Sequence, residues 1–267
     1  MKVKLISHTQ DALELLLLSK NTRLKGEEQT IESIRAWPME KKLEHLGYMR
    51  DTIKSSWEFI DYTFQIQDVT RAFTHQFVRT RTGTYAQEAQ RVVDLSDSTW
   101  LTPPSLEGTE AGEYFDEGIK ASILVYSSLR KADVPAQDAR GVIPTNIHTN
   151  IMGKFNLRTL SDMALVRMCV RTQGEYQDVF RAMRQCVIDV HPWAEDFINV
   201  HCVATGICCF PRYDKCPVKP YTYNAGELND KMVKLSIKDK FFSIKHESVP
   251  EVFKGKATTS DGDKGEE

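Results

Sequence analysis

The chain has 267 residues, 41% of them hydrophobic and 27% charged, with a formal charge of −2. That balance is typical of a soluble globular protein able to bury a real core, and it excludes the disordered, collagen-like and membrane classes. It gives no global reason to expect a nucleic-acid partner, yet Arg71, Arg79, Arg81 and Arg91 crowd into 21 residues and form a candidate anion-binding patch sufficient for a small phosphorylated ligand.

In chain order, the opening MKVKLISHT alternates as a strand does, and Asp11 to Ser19 continues as a short helix with a leucine face, an α+β beginning. Its apolar run, Leu15 to Leu18, is far short of the roughly 20 residues a membrane span needs, and no signal-peptide layout surrounds it, so a cytoplasmic protein without a membrane partner is expected. Met39 to Tyr48 reads as a helix and Trp57 to Gln67 as a half-buried strand. From Val69 the period becomes 3.6, with Val69, Phe73 and Phe77 on one stripe and Arg71, His75, Gln76 and Arg79 on polar faces, a helix that delivers arginines. Gly83 in RTGT breaks it and opens a loop. Leu101 to Gly118 crosses the surface, helix resumes over Tyr114 to Lys131, Ala136 to Gly141 leads to Pro144, and Asn156 to Val187 forms one long helical stretch. The tail from Lys254 lacks apolar periodicity and reads as disordered. The expected organisation is a catalytic domain over 1–215, an extension over 216–253 and a tail over 254–267.

The segment Arg71 to Arg91, RAFTHQFVRTRTGTYAQEAQR, gathers groups able to grip a planar phosphorylated ligand. Gln76 and Arg79 share a helical face. An arginine fork suits phosphate oxygens, and a Gln amide can both donate to and accept from a pyrimidine edge. A solvated basic helix with ordinary salt bridges would have the same residue types, so spacing alone leaves both readings open. His201, Cys202, Cys208, Cys209 and Cys216 lack paired Cys-x-x-Cys spacing; no metal is expected, and the six cysteines read as free thiols. His75 and His148 read as structural. No Gly-x-Gly-x-x-Gly fingerprint favours a Rossmann cofactor site, and no Pro-Cys-His segment offers a nucleophilic cysteine.

The stretch HQFVRTRTGTYAQEAQR resembles the signature of flavin-dependent thymidylate synthases, Arg-His-Arg, seven residues, then Ser. Arg79, Arg81 and Arg91 take the places of its arginines and Gln76 that of its nucleotide-contacting Gln. Thr80 replaces the motif His, Ala89 the Ser, Gln87 a usual Glu and Ala86 a usual Asn. A second segment, NLRTLSDMALVRMCVRTQGEY from Asn156 to Tyr176, is similar to the family helix running from Asn-x-Arg-Ser-Leu through Leu-Arg to Ala-Gln-x-Glu, matching Gln173 and Glu175 as well. A third, ARGVIP, puts Arg140 16 residues before Asn156, where the family has a further nucleotide-binding arginine. Ser56 to Glu58 and Phe64 to Arg71 resemble the stretch before the signature, with Lys54 where a His is often found. The resemblance covers roughly Met1 to Pro192.

That resemblance implies the family fold, a central mainly antiparallel sheet flanked by long helices, and reductive methylation of dUMP to dTMP. FAD would be the cofactor, with NADPH and methylene-tetrahydrofolate as co-substrates. dUMP would meet Gln76, Phe77, Val78, Arg79, Gln87, Glu88, Ala89, Gln90, Arg91, Arg140 and Arg167; FAD would meet Ser56, Arg79, Thr80, Arg81, Gln87, Asn156, Leu157, Arg158 and Asp162. Arg167 would be the catalytic cation, stabilising charge that develops on the uracil ring. On a continuous helix Arg158 and Arg167, nine residues apart, point about 180° away from each other, and the family answers this with active sites shared across a homotetramer. Thr80, Gln87 and Ala89 also motivate two alternatives: a same-fold enzyme acting on dCMP or giving a hydroxymethyl product, or a non-catalytic nucleotide-binding homologue.

Overall fold

Strand alternation at the start of the chain and again after residue 60 builds the centre of the molecule. The computed structural model describes residues 1–23, 29–52, 54–210 and 216. In chain order these form β1 (Lys2–His8), α1 (Ala12–Arg23), α2 (Ile31–Arg35), α3 (Met39–Asp51), a 3₁₀ segment (Lys54–Phe59), β2 (Asp61–Thr70), α4 (Arg71–Phe77), β3 (Thr84–Gln87), α5 (Glu110–Lys131) and α6 (Ala136–Ala139). A 3₁₀ turn (Arg140–Val142), β4 (His148–Asn156), α7 (Leu157–Arg167), α8 (Gly174–Val190), a 3₁₀ segment (Pro192–Phe197) and α9 (His201–Thr205) complete them. The strands make one sheet in the order β1-β2-β4-β3, every pair antiparallel. The protein is α+β.

One face of the sheet is apolar because successive side chains alternate across it. Tyr62, Phe64 and Ile66 of β2 and Ile151 and Phe155 of β4 are buried, against Tyr176, Val179, Phe180 and Met183 of α8, Leu157 and Leu160 of α7 and Leu16 and Leu17 of α1. Each such side chain contributes about 1.5–3 kcal/mol on burial. The β2–β4 register slips between Ile66 and Val69, where Asp68 has a φ of +55°. Such a bulge bends the strand, and here it re-aims the chain as it enters α4. A smaller cluster of Leu95, Tyr126, Ala139 and Ile147 pins α5 and α6 to the loop after β3.

Several expectations need correction. Trp57 to Phe59 belong to a 3₁₀ segment, and the strand runs from Asp61 to Thr70, so Val69 ends a strand instead of starting a helix. The aromatic alternation is real, but Trp57 is held by a tight turn over the core. α4 stops at Phe77, so Arg79 lies beyond it. α1 runs on to Arg23, and α5 begins at Glu110 under a Thr109 cap, shortening the surface crossing. The stretch 156–187 divides into α7 and α8 at residues 168–173. Neither β3 nor β4 is expected from the sequence pattern. The expected extension and tail lie outside the described residues apart from Cys216.

Candidate active site

The site begins where the sheet hands over to α4. Thr70 Oγ1 accepts the N–H of Phe73 at 3.0 Å, an N-cap that starts the helix. The half-buried Glu175 carboxylate accepts from the Thr70 amide at 2.7 Å and from its hydroxyl at 2.5 Å; desolvation pushes this acid up from its ordinary range. Beyond Phe77 the chain closes two tight turns, with Thr80 N–H donating to Phe77 O at 3.3 Å and Gly83 N–H to Thr80 O at 3.0 Å. The Tyr85 hydroxyl shares its proton between the carbonyls of Phe77 (3.0 Å) and Thr80 (2.8 Å). Burial pushes that phenol up to about 12, so it remains a donor at neutral pH.

The turns rest on an aromatic platform. Phe73, Phe77, Tyr85, Phe155 and Tyr176 contact one another with ring centroids 4.9–5.8 Å apart, pairs worth about 0.5–1.5 kcal/mol each beyond area burial. Gly83 lies flat on it: a Cβ there would stand 2.5 Å from Phe155 Cε1 and 2.7 Å from the Tyr85 hydroxyl. Only glycine lets the loop approach this closely.

Facing the turns is α7, started by Asn156, whose Oδ1 accepts the Thr159 N–H at 2.8 Å. Between the two lies an open cleft of about 240 Å³ lined by Thr80, Thr82, Thr159, Asp162, Met163, Val166 and Arg167. Arg158 lies outside that lining, paired with Glu58 at 2.5 Å and 4.0 Å from Asp162, while Lys54 reaches Asp162 at 3.8 Å. Arg167 closes the cleft with its guanidinium carbon 4.5 Å from the Tyr176 ring centroid. It also stands at the C-terminus of α7, where the helix dipole favours a cation.

On the other side of α4, Gln76 donates to Gln173 Oε1 at 2.7 Å and Gln87 donates to Thr74 Oγ1 at 2.7 Å. Glu88 is fastened to Asn150 by its amide (3.0 Å) and its carboxylate (2.7 Å), and its carbonyl accepts from Arg71 at 3.1 Å. Burial, and then Arg140 nearby, lower the Arg71 pKa against the pull of Glu88. Ala89 heads a turn that carries Gln90 and Arg91. Arg79, Arg81, Arg91 and Arg140 are exposed and, among the described residues, have no carboxylate at ion-pair distance. Such cations suit an anionic ligand.

The structure thus joins Thr80 to Asp162 and Arg167 in one cleft and leaves Gln76, Arg91 and Arg140 outside its lining. Val78 is exposed, whereas Phe77, Leu157 and Ser56 are buried, so a ligand would meet the first two of these buried residues through backbone alone. Sequence reasoning missed Thr82, Thr159, Met163 and Val166 in the lining and Tyr176 beneath it. The i, i+4 spacing of Thr159 and Met163 with one another, and of Asp162 with Val166, was the available signal.

The family model described as thymidylate synthase complementing protein matches residues 4–193. The chain belongs to this family. Its match runs from within β1 through the other three strands and both walls of the cleft. Relatives named flavin-dependent thymidylate synthase include one from Sulfurisphaera tokodaii, 32% identical over 212 residues, covering 76% of this chain and 79% of that protein. One from Pyrococcus furiosus is 30% identical over 230 residues (81% and 91%), and one from Geobacter sulfurreducens 30% identical over 200 residues (72% and 84%).

Outside the cleft, no group of three or more His, Cys, Asp or Glu among the described residues is arranged to hold a metal ion. Burial raises the thiol pKa of Cys169 and Cys186 and pushes Cys202 up to about 12, which keeps them protonated and poorly nucleophilic. No described helix is long and apolar enough to cross a membrane.

Proposed function

We propose that this chain is a flavin-dependent thymidylate synthase that converts dUMP to dTMP, taking one carbon from methylene-tetrahydrofolate and reducing equivalents from NADPH by way of FAD. The observation that supports it best is the cleft in which the Arg-x-Arg turn (Thr80, Thr82) meets the Asn-x-Arg helix (Thr159, Asp162, Arg167), segments about eighty residues apart in sequence. FAD suits the donor set around it: exposed Arg79, Arg81 and Arg158 for two phosphates, threonine hydroxyls and the Asn156 amide for polar edges. A bound flavin supplies the hydride that completes the methyl group.

The chain's own residues bind, orient and polarise. Arg167, always charged, stabilises negative charge on the uracil ring as carbon 5 becomes nucleophilic. Gln76 reads the pyrimidine edge, with its amide already oriented by Gln173. Arg91 and Arg140, with the backbone of 87–91, hold the nucleotide phosphate. Asn156, Arg158 and Asp162 hold the flavin. No serine nucleophile is available at Ala89, so activation rests on Arg167.

Two features support a homotetramer with shared active sites. A cleft of about 240 Å³ is smaller than the roughly 300–1,000 Å³ of pockets that enclose a whole small ligand. Arg158 and Arg167 leave opposite sides of α7, one toward Glu58 and one toward Tyr176. Residues 1–215 would form the catalytic domain. The test is anaerobic turnover of FAD-loaded protein with dUMP, dCMP, NADPH and methylene-tetrahydrofolate, products read by mass spectrometry. Formation of dTMP supports the reading; flavin retention with only a cytosine or hydroxymethyl product replaces the substrate; no flavin and no product refutes it.

A further inference from the structure

Tyr176 takes no part in the site expected from the sequence, yet three observations tie it to Arg167. Its ring is fully buried among Phe73 and Phe77, with centroids 5.1 and 5.8 Å away, so it is rigid. The Arg167 guanidinium carbon stands 4.5 Å from the ring centroid, over a negative π face. The Tyr176 hydroxyl is buried and has no partner of ordinary hydrogen-bond geometry, while looser side-chain contacts from Arg167 and Thr80 pull its pKa down against the larger upward push of burial. The close, well-formed contact with Arg167 is thus made by the ring, and the hydroxyl adds only these looser ones.

The start of α8 also orients the other wall. Gln173 accepts from Gln76 at 2.7 Å, and Glu175 holds Thr70 at the start of α4 at 2.7 and 2.5 Å. Gln173, Glu175 and Tyr176 thus bind Gln76, α4 and Arg167 into a single block. An arginine has several rotatable bonds and loses entropy when fixed, so a site that depends on a preorganised cation needs a rigid surface to hold it.

We infer that Tyr176 is the positioning residue of Arg167: its aromatic face seats the guanidinium in the orientation used for charge stabilisation, and its hydroxyl is dispensable. The inference rests on the reaction proposed above.

The experiment compares Tyr176→Phe with Tyr176→Leu and the volume-filling Tyr176→Met, in wild-type and Arg167→Ala backgrounds, each checked for folding by circular dichroism and corrected for folded fraction. Tyr176→Phe should keep kcat within about 3-fold, whereas the Leu and Met variants should lose about 10-fold or more in kcat with the dUMP KM within about 3-fold, since the interaction is made in the transition state. In the Arg167→Ala background the same substitutions should cost nothing further. Equal loss in Phe, full kcat in a folded Leu or Met variant, or additive losses would overturn the inference. If the wild type makes no dTMP, the proposed reaction fails by itself. The seat is then read from the Arg167 Nε–H resonance, whose ring-current shift should persist in Tyr176→Phe and vanish in Tyr176→Met; its persistence in Met would overturn the seat.

Discussion

Tyr85 shows how much of the site depends on single donors. Its hydroxyl serves two carbonyls in the turns that carry Arg79 and Arg81. Tyr85→Phe leaves both carbonyls without it, and we expect a loss of about 0.5–1.5 kcal/mol, read as a lower urea midpoint at unchanged slope, together with weaker flavin retention. Tyr85 is inconspicuous in the sequence because a hydroxyl that bonds backward onto backbone leaves no pattern in residue spacing. Tyr176 is hidden for a different reason. It lies nine residues after Arg167, and on the single helix expected over 156–187 the two would point in opposite directions. The break at 168–173 turns α8 back, and the two side chains meet.

That break illustrates what is legible at the scale of elements. β1, α3 and most of β2 emerge from periodicity, because each has a face against the core and a face away from it. The end of α7 has no proline, and the next glycine comes only at Gly174. It is made instead by tertiary bonds, in which Gln177 donates to the carbonyls of Cys169 (2.7 Å) and Met168 (3.2 Å) and Thr172 to that of Val166 (2.8 Å). β3 is four residues long and β4 contains Gly153 against Phe155, so neither reads as a strand. Gly83, expected to break the arginine-bearing helix, stands six residues after α4 has already ended at Phe77, and its role is instead close contact with Phe155 and Tyr85 ahead of β3. Gly83→Ala should therefore push the loop off its platform and destabilise by about 1–3 kcal/mol. Thermal unfolding and flavin titration check this; an unshifted midpoint would mean that the loop does not rest on the ring.

Across the whole molecule, the sheet is tied to its helices by a buried pair at the far end of α8. His191 Nδ1 lies 2.9 Å from the Tyr62 hydroxyl and its ring packs edge-on to His8. Burial first, and then His8, lower the His191 pKa to about 4. The folded state then binds fewer protons than the unfolded chain between about pH 6.5 and pH 4, so stability is full above that window and falls through it on acidification. The loss should be about 2–3 kcal/mol, and His191→Gln should flatten that slope in chemical denaturation at pH 7, 5.5 and 4. The family is legible because its two signature segments survive in order, and the geometry adds that they form the two walls of one cleft. Arg167, seated in that cleft, is proposed as the cation that drives methylation. The most direct test is single-turnover dTMP formation in flavin-loaded wild type and Arg167→Ala, with dUMP binding measured alongside. The rate should fall by about 100-fold or more with flavin and fold retained; dTMP formed by Arg167→Ala at the wild-type rate would contradict this role.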